Sequence, residues 1–525
     1  MKQQGIFRIG FWALGIFTAA SFAVLAFQQI ISAYYQPVYI WITLAVAFTT
    51  GLFLFCHSWE KNLELLKAHK MMAAAIALVV FWFSYMSCNT KGAVCYQEIA
   101  PSLPVNLFRQ RWYLFAAWSA FWFGLLLAQI VRELLRDLFE GIGAKERKTY
   151  AVVSLVLSLV VLAAYLSNAQ WYQQYYAGAY SLDSGWCYQN IFPVLNYYDI
   201  RHPIMGELTF PIWSTVTGIL GVISPANLFG TLTAVLIQWI NIQFLLLVAL
   251  MLRKLMNSQM MFWLYICSFP TLLYVISLEK YQMCVVFAVF YIYAICKGKK
   301  YSSGALILSI GMMPTNGIAA IFELTGSIPW KEKLQRIASI ILGGFITLVC
   351  MGRGFLLNLP LAVKQLVDQH TYFSRGGLGT KEQVLSVINM IQSSFVALSS
   401  APDSQGRYLW TDLTTGITLF NMLILAVILL GFIVGWKDRF IRTCALWIIY
   451  AFILFVPLNW SPYESPLFAI LFSWAVIPLA KRGIDWLIEH LHLPEKGTYA
   501  VILAAMLTVN LAQLADVNRF LATLG

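Results

Sequence analysis

The sequence predicts an all-α polytopic integral membrane protein, and three observations carry that prediction. Of its 525 residues, 60% are hydrophobic and only 11% are charged, against about 25% charged in a soluble domain. Apolar runs of spanning length recur along the whole chain. Basic residues gather in alternate short connections between those runs.

A helix needs about 20 apolar residues to cross the hydrocarbon of a bilayer. By that measure spans cover 8–31, 37–56, 71–88, 111–131, 150–168, 226–252, 259–277, 281–296, 336–351, 414–435, 441–457, 466–480 and 498–516, about 13 in all. The first run begins near Ile6, continues past the length of a signal-peptide core and lacks a small-residue cleavage site, so it reads as a retained span. The stretch 302–326 is apolar but interrupted by Pro314, Thr315, Asn316 and Gly317. Lys299 and Lys300 precede it, and Lys331, Lys333 and Arg336 follow. Two half-helices that dip in and return on the same side satisfy that charge pattern, provided protein or a cavity covers the irregular backbone.

The net charge is +12, from 35 Lys+Arg against 23 Asp+Glu. With the N-terminus in the cytoplasm, the basic loops at 57–70, 132–149, 253–258, 297–300, 331–336, 436–442 and 481–497 all fall inside, as the positive-inside rule requires. The charge excess is thereby explained without nucleic acid as a partner. The segments 89–110, 169–225, 277–281, 352–413 and 457–465 lie outside, with Arg109 and Arg111 the exceptions to the rule. This layout suits a multi-pass protein of a bacterial plasma membrane. Residues 1–149 form an N-terminal four-helix segment and 150–525 a transmembrane core.

Among nine cysteines, Cys56, Cys267, Cys284, Cys296, Cys350 and Cys444 lie in or beside apolar runs as small packing residues. Cys88 and Cys95 flank an outer loop where a disulfide is chemically allowed, and Cys187 lies in another. No CxxC or His/Cys cluster marks a zinc site.

The outer segment 169–225 is rich in Tyr, Trp and Asp, and such rings favour the membrane–water interface. Its end, 211–224, has the pattern of an amphipathic surface helix. Within it, Ser181–Gly185 (SLDSG) and Tyr197–Pro203 (YYDIRHP) set Asp183 and Asp199 on one loop, with Arg201 and His202 beside the second. A carboxylate among aromatics at a membrane face can hold a tuned pKa and act as a general base. The structural alternative is that Asp183 caps a helix and Asp199 pairs with Arg201.

This arrangement resembles the first outer loop of the GT-C glycosyltransferases, especially the protein O-mannosyltransferase-like branch. The matching residues are Asp183-Ser184 and Tyr198-Asp199-Ile200-Arg201-His202-Pro203. Ser184 stands where the family carries a second acid, and Ile204 where it carries a second proline. The resemblance implies a GT-C-like fold with a long non-cytoplasmic first core loop and a polyprenyl-phosphate-linked sugar as donor. It implies that Asp183 deprotonates the acceptor hydroxyl, which attacks the anomeric carbon with inversion, and that Asp199 and His202 shape the site. The pattern fixes no cofactor and leaves a divalent cation open. The acceptor is a glycan, lipid or protein.

The leaving group would be a lipid phosphate, so a cation should neutralise its charge at the bilayer surface. Arg201, Lys280, Arg353 and Arg375 are the candidates, and arginine suits phosphate through its planar fork. Glu279 and Lys280 lie in a very short outer turn, where they either bind substrate or form a neutralised pair. Arg353 sits between glycines, and snorkelling is its alternative role. His370 and Arg375 flank Tyr372 and Phe373, and Glu464 lies near Trp460 and Tyr463, each suited to sugar or to the interface. Asn459-Trp460-Ser461 matches a glycosylation sequon but lies too near the membrane to serve as one.

Two further classes compete. A flippase or transporter for a lipid-linked sugar would use the broken element 302–326, in which Glu323 is the one acid. An oligosaccharide polymerase or ligase would rely on Arg353, Arg375 and Arg407.

Overall fold

The computed structural model of the protein describes residues 59–83, 124–193, 202–350, 380–396, 419–458 and 465–522, apart from single positions 126, 181, 183, 203 and 327. Every regular element among them is helical. Among the described residues, five helices are long and apolar enough to cross a membrane, six if a bent pair counts as one span. The protein is an all-α membrane protein. The expected spans 8–31 and 37–56, and most of 111–131, lie outside the described residues.

The chain divides into two compact units, one of Met1–Gly141, Pro193–Ser214 and Phe345–Leu357, the other of Ile142–Phe192, Thr215–Gly344 and Asn358–Gly525. In the first, α1 (Trp59–Ala68) leads into α2 (Lys70–Phe83), and α3 covers 127–139. Just before α3, Gly124 meets α2 backbone to backbone: a Cβ there would lie 2.7 Å from Cα of Ala77.

The second unit begins with α4 (Ala144–Gln170). Only 17% of its apolar window is buried, and Val152, Leu155, Val156 and Leu159 are exposed along it, which is the surface lipid would cover. The helix breaks at Asn168, whose backbone is extended. The Asn168 side chain then accepts the N–H of Trp171 at 3.0 Å, the usual N-cap geometry, so the chain restarts in a new direction.

After α5 (Met205–Ile223), α6 (Phe229–Met256) returns to the end where α4 began. There Arg253 grips Glu146 with two nitrogens, at 2.7 and 3.1 Å. We call this the basic end. The next span is two eight-residue helices, α7 (Gln259–Ile266) and α8 (Phe269–Ile276), bent by 57°. Ser268 precedes Pro270, and a proline in the first turn loses no helical hydrogen bond. The chain then turns through Ser277–Lys280 at the far end, and α9 (Tyr281–Cys296) comes back.

The stretch 302–326 enters and leaves at the same end. Helix α10 (Ser302–Met312) rises about 16 Å, the backbone extends at Met313, and a 3-10 helix, Pro314–Glu323, brings the chain back. Its two ends meet, since Ser302 Oγ donates to Glu323 at 3.4 Å and Arg336 contacts both. Arg336 lies on α11 (Trp330–Cys350), whose Gly343 and Gly344 pack on Ile307 and Ile310 of α10. The tip carbonyls find partners: Met312 O lies 3.6 Å from Cys284 Sγ, and Thr315 O accepts Tyr450 Oη at 3.0 Å.

The expected outer segment 352–413 contains a helix, α12 (Thr380–Ser393). Gln383, Asn389, Gln392 and Ser393 are buried on it, so this part is interior structure and not a solvated loop. The chain closes with α13 (Leu419–Gly435), α14 (Arg439–Leu458), α15 (Ser465–His490) and α16 (Glu495–Ala522). Helix α15 is the axis of the unit, with 94% of its apolar window buried. At the basic end Lys481 pairs with Asp485 at 2.6 Å, and Tyr499 donates to the same carboxylate at 2.5 Å.

Close approach of α13 to α15 depends on glycine. A Cβ on Gly431 would lie 1.8 Å from the carbonyl oxygen of Leu479, and one on Gly483 would lie 2.1 Å from that of Val427. Small residues allow such backbone contact, and it supplies packing that lipid cannot. Gly431→Leu or Gly483→Leu should therefore destabilise the protein by about 1–3 kcal/mol, as overpacking does. Gly218→Ala, which meets open space, should be silent. Thermal unfolding in detergent, followed by size-exclusion chromatography, checks this contrast.

Candidate functional site

At the far end the turn Ser277–Lys280 is buried inside the second unit. Glu279 is 0% exposed and Lys280 1%. Taking two charges out of water costs several kcal/mol each and demands close partners. The Glu279 carboxylate accepts the backbone N–H of Lys280 at 3.2 Å and faces the Cys187 thiol at 3.3 and 3.4 Å. The Lys280 ammonium is 3.8 Å from that carboxylate. It is also 5.4 Å from the ring centre of Trp186 and 5.2 Å from that of Tyr281, within cation–π range.

Carboxamides and a phenol secure the backbone beneath this pair. Helix α8 ends here, leaving carbonyls without intrahelical partners. Gln238 Nε2 donates to Tyr274 O at 2.6 Å and to Val275 O at 2.8 Å. Gln282 Nε2 also donates to Tyr274 O, and Tyr165 Oη donates to Ile276 O at 2.7 Å. The Tyr274 hydroxyl reaches Leu467 O at 2.6 Å on α15. The turn is thus tied to α4, α6, α9 and α15.

The loop after α4 supplies the other wall. Trp171–Tyr176 forms wide π-helical turns, and Cys187–Ile191 forms more. Such turns are rare and concentrate at functional places. Phe192 N–H bonds to Cys187 O and Leu182 N–H to Ala177 O, each five residues back. Trp171 Nε1 donates to Asn518 at 2.8 Å, which fixes the start of the loop on α16. Rings of Tyr172, Tyr176 and Tyr180 follow one another at 5.6 and 5.4 Å, and Tyr180 meets Phe269 at 5.9 Å. The aromatics of this loop therefore divide. Tyr175 and Trp186 are exposed as interface residues would be, while Tyr176 and Tyr180 are core.

Of the residues that the sequence proposes, the structure brings Glu279 and Lys280 to the segment Ser184–Ile191. Asp183 itself lies outside the described residues, but Leu182 and Ser184 on either side of it are buried. Gly185 packs so closely that a Cβ would lie 3.2 Å from Gln173 O. His202 is buried in the first unit, where its carbonyl accepts Met205 N–H at 3.1 Å. Asp199, Arg201, Arg353, His370, Arg375 and Glu464 lie outside the described residues, as do Arg407, Cys88 and Cys95. Among the described residues no three His, Cys, Asp or Glu side chains gather to hold a metal ion.

Sequence reasoning missed three contributors to this knot. Gln238 and Asn241 are buried on α6, and their signal was present as two carboxamides within an otherwise apolar run, QWIN. Cys187 showed only its position in an outer loop. Its contact with Glu279 spans 92 residues, and no local pattern encodes that.

The chain matches no protein-family model, no curated protein and no solved structure.

Tyr188 gives a test of how the loop is seated. Its hydroxyl donates to Gly230 O at 2.9 Å, and burial pushes its pKa up to about 12. The folded state then holds this proton more tightly than the unfolded chain, for which phenol titrates near 10. The contribution to stability should be fully present below pH of about 10 and lost as pH rises through about 12. The wild-type minus Tyr188→Phe ultraviolet difference should titrate near the upper value. Titration near 10 would mean that Tyr188 is solvated.

Proposed function

We propose that this protein is a membrane glycosyltransferase that moves a sugar from a polyprenyl-phosphate donor to an acceptor hydroxyl, with inversion, on the non-cytoplasmic face. The observation that supports this reading is the docking of the loop after α4 onto the buried Glu279–Lys280 turn through Trp186 and Cys187. Asp183 and the Ser184–Gly185 that follow it belong to that loop. A catalytic carboxylate needs fixed surroundings, because small misplacements cost large factors in rate.

In this reading Asp183 takes the proton from the acceptor hydroxyl as the oxygen attacks the anomeric carbon. The bond from that carbon to the lipid phosphate oxygen breaks, and the phosphate leaves with the electron pair. Asp199 and His202 orient the acceptor. Arg201, Arg353 and Arg375 supply charge to the leaving phosphate, and His370 and Glu464 meet sugar hydroxyls. The fold is GT-C-like, with about 13 spans, seated in a bacterial plasma membrane.

A second reading has its own support. Transporters build substrate sites from broken helices. This chain has a bent span, α7–α8, and a hairpin, 302–323, that enters and returns at one end. A flippase for a lipid-linked sugar would use both.

One experiment separates the two. In proteoliposomes with a polyprenyl-phosphate sugar and an acceptor extract, the protein should form a new glycosidic bond detectable by mass spectrometry. Asp183→Asn should lower that rate by about 10²–10⁴-fold, the usual contribution of a general base, while keeping its unfolding temperature. Full activity of the variant would remove Asp183 as base. Movement of the lipid-linked sugar across the bilayer with no new bond would establish the flippase instead.

A further inference from the structure

The sequence offers Glu279 and Lys280 as substrate-binding groups, but their surroundings point to a different task. Both are almost wholly buried. Among its contacts, the Glu279 carboxylate meets the Lys280 backbone, the Cys187 thiol and the Lys280 ammonium. Lys280 lies against the rings of Trp186 and Tyr281. Two of these partners, Trp186 and Cys187, are consecutive residues of the loop, so each charge of the pair holds one of two neighbouring loop side chains.

The holding points lie close to Asp183 in the chain. Cys187 follows it by four residues, so covalent geometry keeps their Cα atoms within about 14 Å. On the other side, Leu182 is buried and its N–H is bonded to Ala177 O. Ser184–Trp186, just before Cys187, is a short helical segment, with Gly185 set against the backbone of Gln173. Only Ser184 and Gly185 separate Asp183 from Trp186 in the chain.

We infer that Glu279 and Lys280 are positioning residues, which hold the Ser184–Ile191 segment through Cys187 and Trp186 and so set where Asp183 works, without touching substrate. The inference rests on the reading of Asp183 as general base. Its physical core, that the pair clamps the loop, stands apart from any activity.

The test uses the full chain in native membranes and reads both parts. The first readout is the rate at which maleimide labels Cys187, followed by mass spectrometry of its peptide. The wild type should protect Cys187, and Glu279→Gln and Lys280→Met should raise its labelling rate at least about tenfold. Trp186→Ala tests the same clamp from a partly exposed side chain whose loss the fold should tolerate. It too should raise labelling, whereas Trp186→Phe keeps a ring over the ammonium and should preserve protection. The second readout is transfer of the sugar. Glu279→Gln and Lys280→Met should lower kcat at least about tenfold with KM for the donor unchanged, as expected when a group acts only through another. Cys187→Ser keeps a donor toward Glu279 and should recover most of the rate that Cys187→Val loses.

Unchanged protection of Cys187 in Glu279→Gln, Lys280→Met and Trp186→Ala would overturn the clamp. A rise in donor KM with kcat intact in Lys280→Met would overturn it in favour of direct phosphate binding. If Asp183→Asn proves fully active while the labelling pattern holds, the general-base reading fails and the clamp does not.

Discussion

Lipid offers no hydrogen bonds, so each break in a helix within this bundle has to be repaired by the protein itself. That constraint organises the second unit. The bend between α7 and α8 leaves Cys267 O for Asn510 of α16, at 2.9 Å, and pairs Phe269 N–H with Phe395 O at 3.4 Å. The end of α8 is met by Gln238, Gln282 and Tyr165, and the tip of the 302–323 hairpin by Cys284 and Tyr450. All but the Phe269–Phe395 contact draw a polar side chain from another helix of the unit, namely α4, α6, α9, α14 or α16. The breaks thereby fix how the helices stand around α15 more tightly than apolar contact alone would.

The same repairs place the candidate site. The Glu279–Lys280 turn exists because α8 stops and α9 begins at the far end, and the last carbonyls of α8 beneath it are already taken. With those groups satisfied, the charged pair is left to engage the loop after α4. One hairpin tip reaches Cys284, a single helical turn along α9 from Lys280. The bend, the hairpin and the loop therefore converge on one region of the unit. Glycosyl transfer and lipid-sugar transport would each draw on that convergence, one through the loop and the other through the broken helices.

At the basic end the logic is different. Arg253 with Glu146 and Arg336 with Glu323 link neighbouring elements by ion pairs, and the Lys481–Asp485 pair within α15 is joined to α16 by Tyr499. These pairs join residues that hydropathy and charge already assign to one face.

The sequence by itself determined the solvent of this protein and the order of its helices. Apolar length and basic flanks are local properties, so the runs near 226–252, 281–296 and 441–457 correspond to helices α6, α9 and α14. The interruption at Pro314–Gly317 was legible for the same reason, because proline and glycine mark a break wherever they stand. The pairing of Cys187 with Glu279, the inward turn of Tyr176 and Tyr180, and the buried polar face of α12 were not legible. Each depends on contacts between residues far apart in the chain, and a loop rich in tyrosine reads the same whether its rings face lipid or core. Only the tertiary structure decided that the Glu279–Lys280 turn is closed off from water and held against the loop that follows α4. Burial of a charged pair is set by what packs around it, and no residue's own chemistry announces that.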